Sequence, residues 1–173
     1  MIEWRSEEQT DYAEAAWESL SEKETEEAKR AASKAMQLLL YRQRSEKELR
    51  QKLAEKEFSP QAADAAVAYV SSYGYLDDRK FAEVYLHSMQ GKKSRSMICR
   101  ELREKGISEI YIEEAFAEEP DREEEIVYGL ICKKAGEPHK MEEKELRRTV
   151  AYLARKGFPS SVIWKQIYRY QEP

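Results

Sequence analysis

Apolar residues recur at helical spacing along most of the chain, and the same pattern occurs three times. Three segments share a leucine, a lysine three residues later and a large apolar residue after two more: Leu53, Lys56 and Phe58; Leu102, Lys105 and Ile107; Leu153, Lys156 and Phe158. The three leucines are 49 and 51 residues apart. This self-similarity predicts a structural repeat of about 50 residues.

In the first repeat, the apolar residues predict three amphipathic helices. The first helix spans Ala31 to Gln43 and carries Ala35, Met36, Leu39 and Leu40 on one apolar stripe, which an amphipathic helix turns toward the core. Ser45 and Glu48 have the spacing of a capping box at the start of the middle helix. Ser59 followed by Pro60 predicts the start of the third helix, because serine caps and proline fits the first helical position.

The same signals predict the second and third repeats. Asp77 is expected to cap the first helix of the second repeat, whose buried stripe is Phe81, Val84, Tyr85 and Met89. Ser94 is expected to cap its middle helix, and Pro120 begins the third repeat. We therefore expect an all-α protein with three tandem three-helix repeats in an elongated curved array, over residues 31–74, 75–119 and 120–173. Residues 1–30 precede them as an acidic extension that is helical or partly disordered, with apolar residues Trp4, Tyr12, Trp17 and Leu20.

Composition agrees with helices and shows that charge is segregated. Val, Ile and Thr number only 18 in 173 residues, which is low for a β-rich protein. The net charge of −4 conceals a net −6 in residues 1–30, with ten acids and four bases. Residues 79–105 carry eight bases and three acids, whereas residues 109–125 carry nine acids and one base. Such local basic segments favour contact with a polyanion or an acidic protein groove.

The sequence lacks the patterns of several functional classes. No apolar run approaches the roughly 20 residues that span a bilayer, and the acidic start of the chain is unlike a signal peptide. Cys99 and Cys132 lie in apolar surroundings and are expected to be buried hydrophobes in a reducing cytoplasm. His87 and His139 form no metal or catalytic cluster, and no phosphate-binding glycine loop occurs. We expect no catalytic residues, no metal site and no cofactor.

Basic residues recur around the middle helix of every repeat, and these are the candidate binding residues. They are Arg42, Arg44, Arg50, Lys92, Lys93, Arg95, Arg100, Arg103, Arg147, Arg148, Arg155 and Lys156. One interpretation is a basic stripe along the array that binds a partner; the other is simple solvation of exposed helix faces. A second group of residues could stack on nucleic-acid bases, although packing between helices is favoured: Tyr73, Tyr75, Trp164, Tyr168 and Tyr170.

From Ala31 to Tyr170 the sequence resembles the RecX family, the regulators of the bacterial recombinase RecA. The resemblance rests on residues 44–50 (RSEKELR), 73–82 (YGYLDDRKFA) and 100–108 (RELREKGIS), with support from Gly136-Glu137-Pro138 and residues 155–158. It implies tandem three-helix repeats and binding along the groove of the RecA filament on single-stranded DNA. It also implies limited filament growth, ATP hydrolysis, strand exchange and co-protease activity, by a monomer without a cofactor.

Two other functions remain open from the sequence. Three-helix units are similar to helix-turn-helix modules, so a direct DNA-binding protein is the alternative. The net charge of −4 argues against strong binding to free DNA, and only a weak direct contact is expected. The third interpretation is a helical scaffold, for which reversing the basic residues would change nothing.

Overall fold

The computed structural model describes residues 17–18, 20–117 and 119–172, and in this part of the chain all regular structure is helical. The prediction of an all-α protein is therefore confirmed. The helices are α1 Glu22–Tyr41, α2 Glu46–Ala54, α3 Pro60–Ser72, α4 Asp78–Met89, α5 Arg95–Glu104, α6 Glu109–Phe116, α7 Glu123–Ala135, α8 Glu143–Arg155 and α9 Ser160–Gln171. The middle helices of the first, second and third repeats are α2, α5 and α8.

The chain divides into two compact units that cut across the second repeat. The first unit contains the described residues up to Ala82 together with Lys105–Tyr111. The second contains Glu83–Glu104 and the described residues from Ile112 onward. Each unit has its own apolar core.

The core of the first unit is built mainly from alanine. One row of α1 buries Ala28, Ala31, Ala32 and Ala35, and α3 buries Ala62, Ala63, Ala65 and Ala66. Such small side chains let helix backbones pack closely, and Leu49 and Leu53 of α2 complete the core. Trp17 and Leu20 pack against it, and the Trp17 indole donates a hydrogen bond to the Ala65 carbonyl at 3.1 Å. Trp4 and Tyr12 lie outside the described residues.

The first helix is longer than the apolar pattern predicts. It begins at Glu22, where the Ser21 amide donates to the Glu24 carboxylate at 2.9 Å in a capping box, and it continues without a break through Ala31. The prediction that Leu40 is buried is wrong, because Leu40 is 77% exposed. It lies about a third of a turn away from the alanine row that starts at Ala28.

The core of the second unit is built from larger side chains. Val127, Leu130 and Ile131 of α7 pack with Leu153 and with Ile163, Ile167 and Tyr170 of α9. The predicted burial of Val84 is wrong, since this side chain is 48% exposed, while Leu86 is buried in the same helix. The two residues lie on nearly opposite sides of the helix, and the buried side is the one that carries Ala82 and Leu86.

The predicted helix starts are confirmed wherever a side chain forms the cap. The hydroxyl oxygens of Ser45, Ser59 and Ser94 accept the amides of Glu48, Ala62 and Met97 at 3.2–3.3 Å. The Asp77 carboxylate accepts the Lys80 amide at 2.9 Å. These bonds satisfy amides that an isolated helix end leaves without a partner.

Within each unit, the start of a middle helix contacts the turn that follows the next middle helix. In the first unit, the Ser45 hydroxyl donates to the Lys105 carbonyl at 2.7 Å, and the Lys105 ammonium binds the Glu48 carboxylate at 2.7 Å. In the second unit, the Ser94 amide donates to the Lys156 carbonyl at 3.0 Å. Two of the three aligned lysines, Lys105 and Lys156, therefore lie at the junctions between repeats.

Lys105→Met should lower the free energy of unfolding at pH 7 by about 1–2 kcal/mol, because it leaves the mostly buried Glu48 carboxylate without its main partner. Burial raises the pKa of Glu48, but the hydrogen bond and charge of Lys105 outweigh it, so the pKa lies below its ordinary value. The stabilisation is therefore complete above the unfolded pKa of about 4.3 and is lost as pH falls through the folded pKa. Urea unfolding at pH 7 and at about pH 3 measures both effects.

Lys52→Met is the matched control. Lys52 binds Glu55 at 2.5 Å, but both side chains are more than 40% exposed, so solvent screens the pair and a loss near zero is expected. Equal losses in the two variants, or a Lys105→Met loss that does not shrink in acid, would contradict the assignment.

Candidate polyanion-binding surface

Helix α5 presents two arginines on its outer face. Arg100 and Arg103 are exposed there, while Ile98 and Leu102 on the opposite side are buried. The Arg100 guanidinium lies 3.6 Å from the Glu104 carboxylate, but both side chains are more than 60% exposed, and such pairs contribute little. We define the outer face of α5 as Arg100 and Arg103.

The outer face of α8 carries four exposed basic residues. Arg147, Arg148 and Arg155 are exposed there, together with Lys144, which is not among the twelve predicted residues. The opposite side buries Thr149 and Leu153. Lys144 has the i,i+4 spacing to Arg148 that places both on one helix face, and this spacing could have identified it.

The predicted residues of the first repeat contact neighbouring groups of the fold, although only Arg44 is buried. Arg44 is 7% exposed, and its guanidinium donates to the Leu38 carbonyl at 3.4 Å near the end of α1. Arg50 binds Glu46 at 2.8 Å and also contacts Asp64. Partial burial lowers the pKa of Arg50, but these two carboxylates outweigh it and the pKa is raised. Arg42 lies 3.7 Å from Glu48.

Three predicted lysines meet at the junction between α5 and the turn after α8. The Lys93 ammonium binds the Glu101 carboxylate at 2.5 Å, and Tyr85 donates to the same carboxylate at 2.7 Å. Lys92 donates to the Ser88 carbonyl at 2.7 Å, and Lys156 donates to the Lys92 carbonyl at 2.9 Å. These bonds direct the three ammonium groups toward the protein.

Arg95 lies beside an acidic loop. Its guanidinium stacks 4.5 Å from the centre of the Phe116 ring, and its amide donates to the Glu123 carboxylate at 2.9 Å. A cavity of about 370 Å³ opens there, with Glu119 and Asp121 also in its lining. Three carboxylates, those of Glu119, Asp121 and Glu123, thus line the same cavity as Arg95.

Of the twelve predicted residues, five therefore face solvent on the outer faces of α5 and α8, and both faces belong to the second unit. They are Arg100, Arg103, Arg147, Arg148 and Arg155. In the described part of the chain, no group of histidine, cysteine and carboxylate side chains could hold a metal ion. None of the described helices is long and apolar enough to cross a bilayer.

Three protein-family models match the chain in tandem. The first, second and third three-helix domains of RecX match residues 31–69, 77–115 and 122–167. The chain belongs to the RecX family. The resemblance found in the sequence, and with it the three-helix repeats, is confirmed.

Curated relatives carry the name regulatory protein RecX. The protein from Bacillus velezensis is 37% identical over 145 residues, which are 80% of this chain and 54% of that protein. The protein from Vibrio vulnificus is 35% identical over 125 residues, 72% of this chain and 82% of the relative. The chain thus spans about half the length of the Bacillus velezensis relative.

Two solved RecX structures share the fold. The crystal structure of RecX from Lactobacillus salivarius superposes with a TM-score of 0.66 at 22% identity, covering 84% of this chain and 97% of that one. A second structure, of regulatory protein RecX, gives a TM-score of 0.67 at 25% identity, covering 83% of this chain and 73% of that one.

Proposed function

We propose that this RecX-family chain regulates the RecA recombinase by binding its filament on single-stranded DNA. In this proposal it occupies the filament groove and limits filament growth, ATP hydrolysis, strand exchange and co-protease activity. Membership of the RecX family supports the regulatory role, since relatives with 35–37% identity are named regulatory proteins. The chain acts by binding, without chemistry of its own.

The outer face of α8 is the observation that carries the binding mode. Lys144, Arg147, Arg148 and Arg155 form one exposed cationic face on a helix whose other side is anchored by Leu153. Arg100 and Arg103 form a second such face on α5. A nucleoprotein filament offers phosphates and acidic protein surface together, which suits local cationic faces on a chain of net charge −4.

Direct binding to free DNA is the second candidate, favoured by the same four bases on α8. The two functions differ in what they require. A bare DNA-binding protein needs no filament and shows a steep dependence on salt, because phosphate contacts release counterions.

RecA ATP hydrolysis on single-stranded DNA, measured with this protein at substoichiometric ratios, tests the proposal. We expect inhibition well below one molecule per recombinase subunit, because a bound regulator that stops growth affects many subunits. Binding to the same DNA without recombinase should be weak at the same salt. No inhibition, combined with tight binding to bare DNA, would assign the chain to the second candidate.

A further inference from the structure

The last helix carries two exposed aromatic rings that its packing does not require. Trp164 is 39% exposed and Tyr168 is 62% exposed, whereas Ile163, Ile167 and Tyr170 on the other side are buried. The two ring centres are 6.1 Å apart and the ring planes are inclined by 35°. We call Trp164 and Tyr168 the α9 aromatic pair.

In the sequence, a basic residue comes directly after each aromatic residue of this pair: Lys165 after Trp164 and Arg169 after Tyr168. The Lys165 ammonium binds Glu124 at 2.7 Å, but the two side chains are 65% and 50% exposed, so this pair is weakly held. The Arg169 guanidinium stacks 4.4 Å from the centre of the Tyr128 ring. Both cations remain exposed on the same helix as the rings.

The charge of α9 also sets it apart from the other described helices. The chain contains 34 acidic residues, and each of α1 to α8 includes at least one, whereas Ser160–Gln171 includes none. The Glu124 carboxylate of α7 contacts Lys165 and Gln166, but α9 has no acidic residue of its own. Exposed rings with adjacent cations on such a helix suit the binding of single-stranded nucleic acid. Bases stack on the rings, and the cations attract the phosphates.

We infer that the α9 aromatic pair is a base-stacking site for single-stranded nucleic acid. Tyr170, a third candidate, packs instead: it is fully buried and donates to the Glu137 carbonyl at 2.7 Å. The inference goes beyond the regulatory role, and its test uses bare oligonucleotide. The proposed function can therefore fail while the stacking site stands, and the reverse also holds.

Titration of the parent protein and its variants with a fluorescent oligothymidylate at low ionic strength tests the site. Trp164→Leu with Tyr168→Leu keeps apolar bulk but removes both rings, and we expect affinity to fall about tenfold or more. Trp164→Phe with Tyr168→Phe keeps flat rings and should bind within about twofold of the parent. An abasic oligomer of the same length should bind parent and leucine variant equally weakly, since it offers charge without bases.

Tyr73→Leu with Tyr75→Leu is the matched control. These two tyrosines are 53% and 52% exposed, but each is followed by an uncharged residue, Gly74 or Leu76, and not by a cation. This variant should bind oligothymidylate like the parent.

Three results would overturn the inference. They are unchanged oligothymidylate affinity in the leucine variant, equal affinity of the parent for the abasic oligomer, or a loss in the phenylalanine variant as large as in the leucine variant. If the leucine variant inhibits recombinase less but binds oligothymidylate normally, the rings contact protein instead, and the inference is wrong. Should the leucine variant fail to fold, photo-cross-linking of the parent to bromodeoxyuridine oligomers decides: cross-links must map to Trp164 or Tyr168.

Discussion

Gly157→Ala is expected to lower the free energy of unfolding by about 2–4 kcal/mol, from backbone strain and steric overlap together. Gly157 has φ +86°, a left-handed conformation that side chains with a Cβ atom rarely adopt. An added Cβ would also lie 2.6 Å from the Ser94 hydroxyl oxygen and 2.8 Å from the Met97 Cβ. Urea unfolding monitored by circular dichroism measures the loss.

The steric overlap at Gly157 is costly because Ser94, which the added Cβ would meet, joins two repeats. Ser94 caps α5 through the Met97 amide, and its own amide donates to the Lys156 carbonyl at 3.0 Å. Moving Ser94 away from a new methyl group would weaken both bonds. A single methyl group at Gly157 therefore disturbs a helix cap and a junction between repeats.

Gly74→Ala separates the two causes. Gly74 also follows a helix with positive φ, +72°, and in both turns the next amide donates back to the carbonyl five residues earlier, but nothing lies within 4 Å of an added Cβ at Gly74. Its expected loss is about 1–2 kcal/mol, the strain alone. If Gly74→Ala and Gly157→Ala lose the same amount, the close approach at the junction does not contribute.

The first repeat shows why this glycine is absent there. Glu57 occupies the position that aligns with Gly106 and Gly157, and it also has positive φ, 62°. An added Cβ at Gly106 would lie 2.7 Å from the Lys47 Cβ, as one at Gly157 overlaps Met97. Glu57 is exposed, so its side chain does not meet a close neighbour of this kind. The departure at Glu57 was visible in the sequence, but its reason is a contact between repeats.

Local signals were predictable and long-range contacts were not. The caps at Ser45, Ser59 and Asp77 depend on residues three positions away, so the sequence shows both partners. Burial depends on where a helix begins and on what packs against it. For this reason Leu40 and Val84 were predicted to face the core although both are exposed. The helix start at Glu22 was hidden because alanines in the row from Ala28 are weak hydrophobic signals.

In the candidate site, the sequence likewise does not show which basic side chains pair with carboxylates. Sequence counting identified the basic residues, but not which of them have carboxylate partners inside the fold. Lys93 meets Glu101, eight positions on, and Arg50 meets Asp64, fourteen positions on. Neither spacing lies within one helix turn, so no pattern rule pairs them.

Arg148→Glu with Arg155→Glu should raise the concentration needed for half-inhibition of recombinase ATP hydrolysis by about tenfold or more. Both side chains lie on the outer face of α8, where reversal puts negative charge against the polyanion. If both arginines contact phosphates, the salt dependence of filament binding should weaken by about two units of slope. Thermal unfolding should stay close to that of the parent, because exposed charges contribute little to stability.

Lys29→Glu with Arg30→Glu is the matched control, since these residues are also basic, exposed and helical but lie on α1. The change in net charge is the same, so a loss confined to the α8 variant reflects position, not overall charge. Reversal of Lys93 would be a poorer test, because it would place a second carboxylate against Glu101 and disturb the junction itself. Equal inhibition by the α8 variant and the parent would remove the outer face of α8 from the binding surface and leave Arg100 and Arg103 on α5 as the remaining candidates.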